Sequence, residues 1–262
     1  MKYLKILSYV SLLLAGTQIF AQVSEHEQGE VGQEHPGVQV FNTVDPFGNE
    51  VQVVIDPPNP NPPNEPWLDP NSPLFQGFPE IKDEYELFPG SERLARAVTV
   101  PVYAVADEEY RRAHSNWQSL LNTIIETADN ALWRDFGINW VIQGYYSWTS
   151  NGNNASQILA DLANDGSGLP DGIVMGFTAD SKFDAGGIAY VYGSNPGTGF
   201  LVCLDQGTSS TTYALRHEAG HNYGCSHDFN PVVCLMNYTY AYSIDYFDSA
   251  HNSLISSHTG WF

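Results

Sequence analysis

The segment His217-Glu-Ala-Gly-His-Asn-Tyr-Gly-Cys-Ser-His-Asp228 decides both the fold and the chemistry that we expect of this sequence. His217 and His221 are four residues apart, so on a helix their imidazoles project from the same face, about one turn from each other. Two ring nitrogens at this spacing can converge on one zinc ion. An ordinary helix with surface or buried histidines gives no reason for the spacing.

The residues after this pair complete a catalytic type of zinc site. Gly224 lacks a Cβ and can take the left-handed conformation that ends a helix, so the chain can turn and bring His227 back as a third ligand. Three protein ligands leave the fourth zinc position open for water, which is typical of catalytic rather than structural zinc. Glu218, next to the first histidine, can accept a proton from that water and return it to a leaving amine.

At these residues the sequence resembles the metzincin clan of zinc endopeptidases, whose signature H-E-x-x-H-x-x-G-x-x-H is followed by a methionine turn. By this resemblance Met236 is the methionine of the turn, which lies under the metal. His221-Asn222 and His227-Asp228 are most similar to the adamalysin (reprolysin) group, in which the Asp supports the methionine turn. The resemblance therefore implies a compact, bacterial-type relative of the reprolysins, with Asp228 outside the ligand set.

Two further features follow from the resemblance. Tyr238 lies two residues after the methionine, as in the astacin and serralysin groups, where such a tyrosine is a movable ligand or an oxyanion donor. A packed wall residue of the specificity pocket is an equal alternative for Tyr238. The run 186–191 resembles the exposed edge strand on which the clan binds an extended peptide by β-augmentation. Its expected substrate-contacting residues are Gly187, Ile188, Ala189 and Tyr190.

Hydrophobic periodicity predicts one α/β domain over residues 97–262. The resemblance implies a twisted, mostly parallel sheet with an antiparallel edge strand, an active-site helix and a C-terminal helix. The pattern predicts strands at 97–106, 138–148, 172–178, 186–192 and 200–205, and helices at 108–136, 155–163, 213–223 and 247–257.

The region before residue 97 has a different composition. Residues 1–21 contain two lysines, an apolar run and a small-residue site, and they are predicted to be a secretory signal peptide that is too short for a permanent anchor. Residues 22–96 hold 12 of the 16 prolines, which predicts an extended acidic pro-segment or linker rather than a helix or a central strand. Alternating apolar residues allow one short hairpin over 38–55, and Arg93-Leu-Ala-Arg96 is a candidate processing site.

Residues 22–96 could also keep the predicted enzyme inactive. No cysteine precedes Cys203, so a pro-segment cysteine cannot silence the metal, whereas an acidic side chain from residues 22–96 could. The sequence does not select one. For the three cysteines we expect a Cys225–Cys234 disulfide, with Cys203 as a buried apolar residue.

The net charge of −20 argues against nucleic acid or an anionic membrane surface as a partner. We expect a secreted or periplasmic monomer without a membrane anchor that binds one Zn²⁺ per chain and an extended protein or peptide substrate. A Ca²⁺ site at Asp161, Asp165 and Asp171 is less favoured than solvated loop carboxylates, because these residues match no calcium-loop pattern.

The sequence thus predicts an exported zinc endopeptidase. One alternative is a catalytically silent, zinc-containing peptide-binding module, and the intact Glu218 argues against it. Another is a zinc amidase acting on a non-peptide cell-wall substrate. The edge strand predicted at 186–191 argues against that second alternative, since an exposed edge suits a peptide backbone.

Overall fold

A seven-stranded sheet lies at the centre of the computed structural model, which describes residues 37–61, 97–229 and 232–262. The signal peptide predicted at 1–21 and the processing site at 93–96 lie outside the described residues. Within the described ranges, no helix is long and apolar enough to cross a membrane. The strands are β1 (Gln39–Val44), β2 (Glu50–Asp56), β3 (Val98–Ala106), β4 (Ile138–Ser147), β5 (Gly172–Thr178), β6 (Gly187–Val191) and β7 (Thr198–Leu204). The helices are α1 (Glu108–Ala113), α2 (Trp117–Phe136), α3 (Ala155–Gly166), α4 (Thr208–Asn222) and α5 (Ser249–His258).

The strand order is β1-β2-β6-β7-β5-β3-β4. Strands β4, β3, β5 and β7 pair in parallel, and β6 pairs antiparallel with β7. Parallel neighbours need crossover connections, and α1, α2 and α3 lie in the connections from β3 to β4 and from β4 to β5, whereas α4 follows β7. The predicted α/β fold with a mostly parallel sheet is therefore confirmed.

Both faces of the inner parallel strands β3, β5 and β7 are largely covered, which explains why they read as nearly continuous apolar runs in the sequence. Every residue of β5 is buried. One hydrophobic cluster includes Leu121 of α2, Leu215 of α4 and Val102 of β3. The other includes Leu159 of α3 and Val174 of β5. Because α4 belongs to the first cluster, its polar residues are enclosed between the sheet and α2.

The single helix predicted over 108–136 is wrong, because the structure divides it into α1 and α2. His114 ends α1 with an extended backbone (φ −125°, ψ 100°). Its buried ring places Nε2 2.7 Å from a carboxylate oxygen of Asp205, on the loop after β7. A tertiary contact thus overrides the helical periodicity. Each other element predicted after residue 97 corresponds to an observed one, although α4 begins at Thr208 rather than at residue 213.

The hairpin that the sequence allows over 38–55 is formed by β1 and β2. Asp45 closes its turn by accepting the backbone N–H groups of Phe47 and Asn49 at 2.9 and 2.8 Å. Gly48 occupies the left-handed region with φ of 88°. The hairpin does not stand apart from the domain, since β2 joins the main sheet.

Two predictions about the sheet edge are corrected by this arrangement. Strand β2 pairs antiparallel with β6, with Ile55 opposite Ile188 and Asp56 opposite Gly187. Strand β6 is therefore an inner strand with five buried residues, and not the exposed edge that was expected. The expectation that residues 22–96 provide no central strand is also wrong, because the dense proline run begins only at Pro57, after β2 has ended.

The disulfide expected between Cys225 and Cys234 is absent, since the three cysteines are buried free thiols. The Sγ atom of Cys234 lies 3.3 Å from Nδ1 of His251 on α5. It also accepts two backbone N–H groups at 3.4 and 3.3 Å. These contacts hold the sulfur of Cys234 towards α5. Cys203 is buried in β7 as expected.

Asp129 on α2 is buried and accepts the backbone N–H of Trp140 at 2.9 Å. Burial raises its pKa to about 7; the hydrogen bond from Trp140 opposes this and the charge of Glu126 adds to it. Since this pKa lies above the unfolded value of about 3.9, the folded state retains a proton that the unfolded state loses. The contribution of Asp129 to stability therefore decreases as the pH rises from about 4 to 7.

We predict that Asp129→Asn, which keeps the acceptor oxygen without the charge, raises the free energy of unfolding at pH 8 by about 2 to 4 kcal/mol and changes it little at pH 4. Urea unfolding at both pH values measures this. The control Asp165→Asn, at an exposed position, should have no effect at either pH. Equal stability of Asp129→Asn and the parent at pH 8 would contradict the assignment.

Candidate metal centre and active site

Helix α4 carries His217, Glu218 and His221 on its buried surface. The helix ends at Asn222, and Gly224 then takes a left-handed φ of 89°. A Cβ at Gly224 would lie 2.9 Å from the carbonyl oxygen of Tyr192, so both the turn and the close approach require glycine. The turn brings His227 back to the other two histidines.

Backbone carbonyls fix the orientation of two of the imidazoles. Nδ1 of His217 lies 2.8 Å from the carbonyl oxygen of Leu235, and Nδ1 of His221 lies 2.7 Å from that of Cys225. A carbonyl only accepts, so each Nδ1 carries the hydrogen and each Nε2 presents its electron pair to the centre. Nε2 of His217 lies 2.9 Å from Nε2 of His227. The three rings therefore converge through their Nε2 atoms.

A fourth side chain, Asp56 at the end of β2, completes the centre. Its Oδ1 lies 2.9 Å from Nε2 of His227, and its Oδ2 lies 3.3 and 3.5 Å from Nε2 of His217 and His221. Asp56 is 3% exposed, so the carboxylate is held away from water. Among the acidic residues of 37–61, the part of the N-terminal region that the structure describes, this is the one placed against the histidines.

The electrostatics of the centre favour positive charge. Burial raises the pKa of Asp56, but attraction by His217 and His227 holds it well below its usual value. Burial lowers the pKa of His217, yet the charge of Asp56 outweighs burial and raises it. Burial lowers the pKa of His221 to about 4, which keeps this ring in the neutral form that binds metals.

The residues present fit a zinc ion. Asp56, His217, His221 and His227 each offer one ligand atom, and these four atoms lie within 4.8 Å of one another. Three imidazole nitrogens and a carboxylate oxygen match the ligands and the coordination number that zinc prefers. Four electron-rich atoms that converge in a buried place need a cation between them, and zinc would supply it.

Glu218 lies beside this centre and is 1% exposed. Burial raises its pKa well above the usual value, and the charge of Asp56 and a hydrogen bond to it raise it further. A small cavity of about 10 Å³, the size of one water molecule, is lined by Glu218 together with His217 and Asp56. The carboxyl group thus adjoins both the histidine cluster and a place for water.

The backbone of β6 allows Glu218 to lie where it does. A Cβ on Gly187 would lie 2.1 Å from Oε1 of Glu218, so only glycine leaves room for the carboxyl group. This is a role for Gly187 that differs from the expected one. The other residues expected to contact substrate, Ile188, Ala189 and Tyr190, are buried and paired with β2.

The methionine of the Cys234–Tyr238 segment packs directly under α4. Met236 is fully buried, and a Cβ on Gly220 would lie 2.6 Å from its Sδ. The backbone N–H of Asp228 donates to the carbonyl oxygen of Met236 at 3.0 Å. Asp228 therefore contacts this turn through its backbone, while its side chain shares a hydrogen bond with Asp248.

Tyr238 lies at the wall of the site and reaches the segment after β2. Its hydroxyl donates to the carbonyl oxygens of Pro57 at 2.7 Å and Pro58 at 2.9 Å. Tyr242 donates to Pro57 as well, at 3.4 Å. The tyrosine proposed from sequence as a ligand or a wall residue thus binds peptide carbonyls in this structure.

The carboxylates considered for Ca²⁺ are not brought together. In the described residues, they belong to no group of three side chains that could share an ion. Asp161 instead accepts the indole N–H of Trp148 and the backbone N–H of Asn151, each at 3.0 Å.

Sequence reasoning missed three residues of the site, namely Asp56, Gln206 and Tyr242. Asp56 follows a short apolar run and precedes two prolines, but these signals do not distinguish it from other acidic residues nearby. Gln206 and Tyr242 belong to no motif. A register for pairing residues 50–56 with 187–191 is the signal that would have found Asp56.

Residues 96–253, more than half of the chain, match the family model Reprolysin_5, described as metallo-peptidase family M12. A comparison with curated proteins found no match. A solved structure titled "Structure of a chaperone-substrate complex" is similar with a TM-score of 0.47 and 14% identity. The similarity covers 62% of this chain and 34% of that chain, so the present chain spans about a third of its length.

We predict that Gly187→Ala displaces Glu218 and lowers peptide hydrolysis roughly a hundredfold, the size of a lost general base, while zinc content stays unchanged. The measurement is made in an Asp56→Ala chain, so that this carboxylate no longer faces the histidines. Gly193→Ala is the control, because a Cβ there meets no atom within 4 Å. Full activity of Gly187→Ala would show that Glu218 does not need this space.

Proposed function

Because the chain belongs to metallopeptidase family M12, we propose that it is an exported zinc-dependent endopeptidase that is made as a latent precursor. The observation that carries the proposal is the convergence of three Nε2 atoms beside a buried glutamate, Glu218. Export rests on the signal peptide predicted at residues 1–21.

His217, His221 and His227 would hold the zinc, and each role follows from the placement of a ring nitrogen. Bound there, zinc would polarise a peptide carbonyl and lower the pKa of water. The bonds from Nδ1 to the carbonyls of Leu235 and Cys225 keep two of the rings in the required orientation. These two bonds arise from the methionine turn and from the turn after α4.

Glu218 would act as general base and then as general acid. Its carboxylate takes a proton from the attacking water in the adjoining cavity and delivers it to the leaving amine nitrogen. Oxygen thereby gains its bond to the peptide carbon, and the C–N bond breaks with the amine protonated. Tyr238, whose hydroxyl donates to peptide carbonyls here, can donate in the same way to a carbonyl oxygen of the substrate.

Latency follows from the position of β2. Asp56 faces the three histidines, so its carboxylate takes the position that water or substrate needs. Strand β2 also pairs along β6, where an extended substrate would add to the sheet. The segment around β2 therefore acts as a pro-segment rather than as a simple spacer. It must leave before the cleft opens, and the contacts of Asp56 with the histidines oppose its departure, so that loss of this carboxylate would open the cleft more often.

A catalytically silent peptide-binding module remains the second candidate function. The pairing of the chain's own strand β2 with β6 favours it, because this pairing shows that the cleft can hold an extended peptide. The two functions differ in whether Glu218 matters for turnover.

We predict that the Asp56→Ala chain binds about one zinc and degrades an unfolded protein, and that adding Glu218→Ala keeps the zinc but lowers hydrolysis by roughly 10²- to 10⁴-fold. Metal analysis and a casein-type cleavage assay measure the two properties. Hydrolysis that persists without Glu218 would overturn the mechanism, and absence of zinc from the Asp56→Ala chain would overturn the metal assignment.

We also predict that Asp56→Ala raises the activity of the full-length chain about 10- to 100-fold, because the variant loses a charge-assisted contact with the histidines. The control Glu50→Ala removes an exposed carboxylate from the same strand and should leave the low activity unchanged. Equal activity of the Asp56→Ala and parent chains would argue against latency through this residue.

A further inference from the structure

Beyond Asp56, the chain continues into a groove, here called the Gln206 groove, that is formed by Gln206, Ser210, Tyr238 and Tyr242. The backbone N–H of Asn59 donates to Oε1 of Gln206 at 2.7 Å. The side-chain amide of Asn59 donates through Nδ2 to Oγ of Ser210 at 3.1 Å. Residues 57–59 are thus held by hydrogen bonds from residues far away in the sequence.

The contacts of Gln206 fix the orientation of its amide group. Nε2 donates to the carbonyl oxygen of Gly186 and to the hydroxyl of Tyr242, both at 3.2 Å. A carbonyl accepts only, so the nitrogen must face Gly186 and the oxygen must face Asn59. The backbone N–H of Gln206 is itself held by Oγ1 of Thr211 at 3.0 Å. Gln206 therefore presents a preorganised acceptor to a peptide N–H.

The groove binds some positions of the segment through carbonyl oxygens and another through N–H groups. Pro57 and Pro58 are bound only through their carbonyl oxygens, which accept from Tyr238. Proline has no N–H, and none is used at these two positions. At Asn59 the groove instead uses the backbone N–H and the side-chain amide. A proline in this third position would lose both contacts.

The surroundings of Asn59 leave room for a substrate side chain. A cavity of about 530 Å³ adjoins Asn59 and is lined by α4, by the loop that carries Tyr238 and Tyr242, and by Asn59–Asn61. Among the described residues, no charged side chain lines it. Ser210 is buried at its edge and supplies an acceptor oxygen. The cavity therefore suits an uncharged side chain that can donate a hydrogen bond.

We propose that Gln206 and Ser210 determine the substrate specificity of the proposed endopeptidase. This inference rests on the function proposed above. Substrate peptides follow the path of residues 56–61, with the residue matching Asp56 at the histidine cluster. Proline is accepted at the next two positions. At the third position Gln206 requires a backbone N–H, and Ser210 favours an uncharged hydrogen-bond donor such as asparagine.

The test uses three peptides and zinc-loaded protein that carries Asp56→Ala and Glu218→Ala and therefore binds without cleaving. The chain is cut after residue 61 at an introduced protease site, so that an added peptide can exchange with the chain's own segment in the groove. The parent peptide has the sequence of residues 50–61 with alanine in place of Asp56. The second peptide is N-methylated at the position of Asn59, and the third has alanine there. Fluorescence anisotropy with a labelled parent peptide measures binding and competition.

We expect N-methylation to weaken binding about five- to tenfold and the alanine to weaken it about threefold. In Gln206→Ala, only the loss of affinity caused by N-methylation should disappear. In Ser210→Ala, only the loss of affinity caused by alanine at the position of Asn59 should disappear. Gln206→Glu keeps an acceptor oxygen and should retain the loss caused by N-methylation. The matched control Gln143→Ala lies exposed on β4 and should change neither.

Binding that ignores N-methylation, a penalty that persists in Gln206→Ala, or no binding of any peptide would overturn the inference. The proposed function fails separately, through the absence of cleavage by the Asp56→Ala chain with Glu218 intact. If the peptides are discriminated but no protein is cleaved, the assignment of Gln206 and Ser210 is supported and the endopeptidase function is rejected. If protein is cleaved but the peptides are not discriminated, the endopeptidase function is supported and the assignment of Gln206 and Ser210 is rejected.

Discussion

The rest of this structure depends on the convergence of four electron-rich side chains in a buried place. Three imidazole nitrogens and the Asp56 carboxylate cannot lie together inside a protein unless positive charge lies between them. The fold holds them there by backbone hydrogen bonds to the rings, by a glycine turn that returns His227, and by a methionine turn packed under α4. The positions of the helix, the two turns and the hairpin are therefore all constrained by the place where these four side chains meet.

The same sheet serves the core and the site. Its inner parallel strands are buried and support α4, whereas the antiparallel strand β6 lies beside the cleft and would be the edge of the sheet without β2. A hairpin from the N-terminal region completes this edge, which brings a carboxylate to the histidines and a proline pair to the tyrosines. In the proposed function, one strand would thus block the metal position and the peptide path together.

Much of the domain could be predicted from the sequence because its signals are local. Helical spacing gave His217 and His221, the helix-ending Gly224 gave His227, and continuous apolar runs gave the inner strands. The failures involve contacts between distant segments. His114 breaks a periodic helix to reach Asp205, and Cys234 is turned towards His251 rather than Cys225. Asp56 is selected by the strand pairing of β2 with β6, which composition does not reveal.

The burial of β2 also affects whether molecules of this protein would associate with one another. Val51, Val53 and Ile55 contribute to the second hydrophobic cluster, so the hairpin is part of the hydrophobic core. Its loss would uncover apolar side chains and an unpaired strand edge, which in other proteins invites pairing between molecules. The segment that we propose keeps the enzyme inactive would therefore also protect it from self-association until substrates are available to cover the same edge.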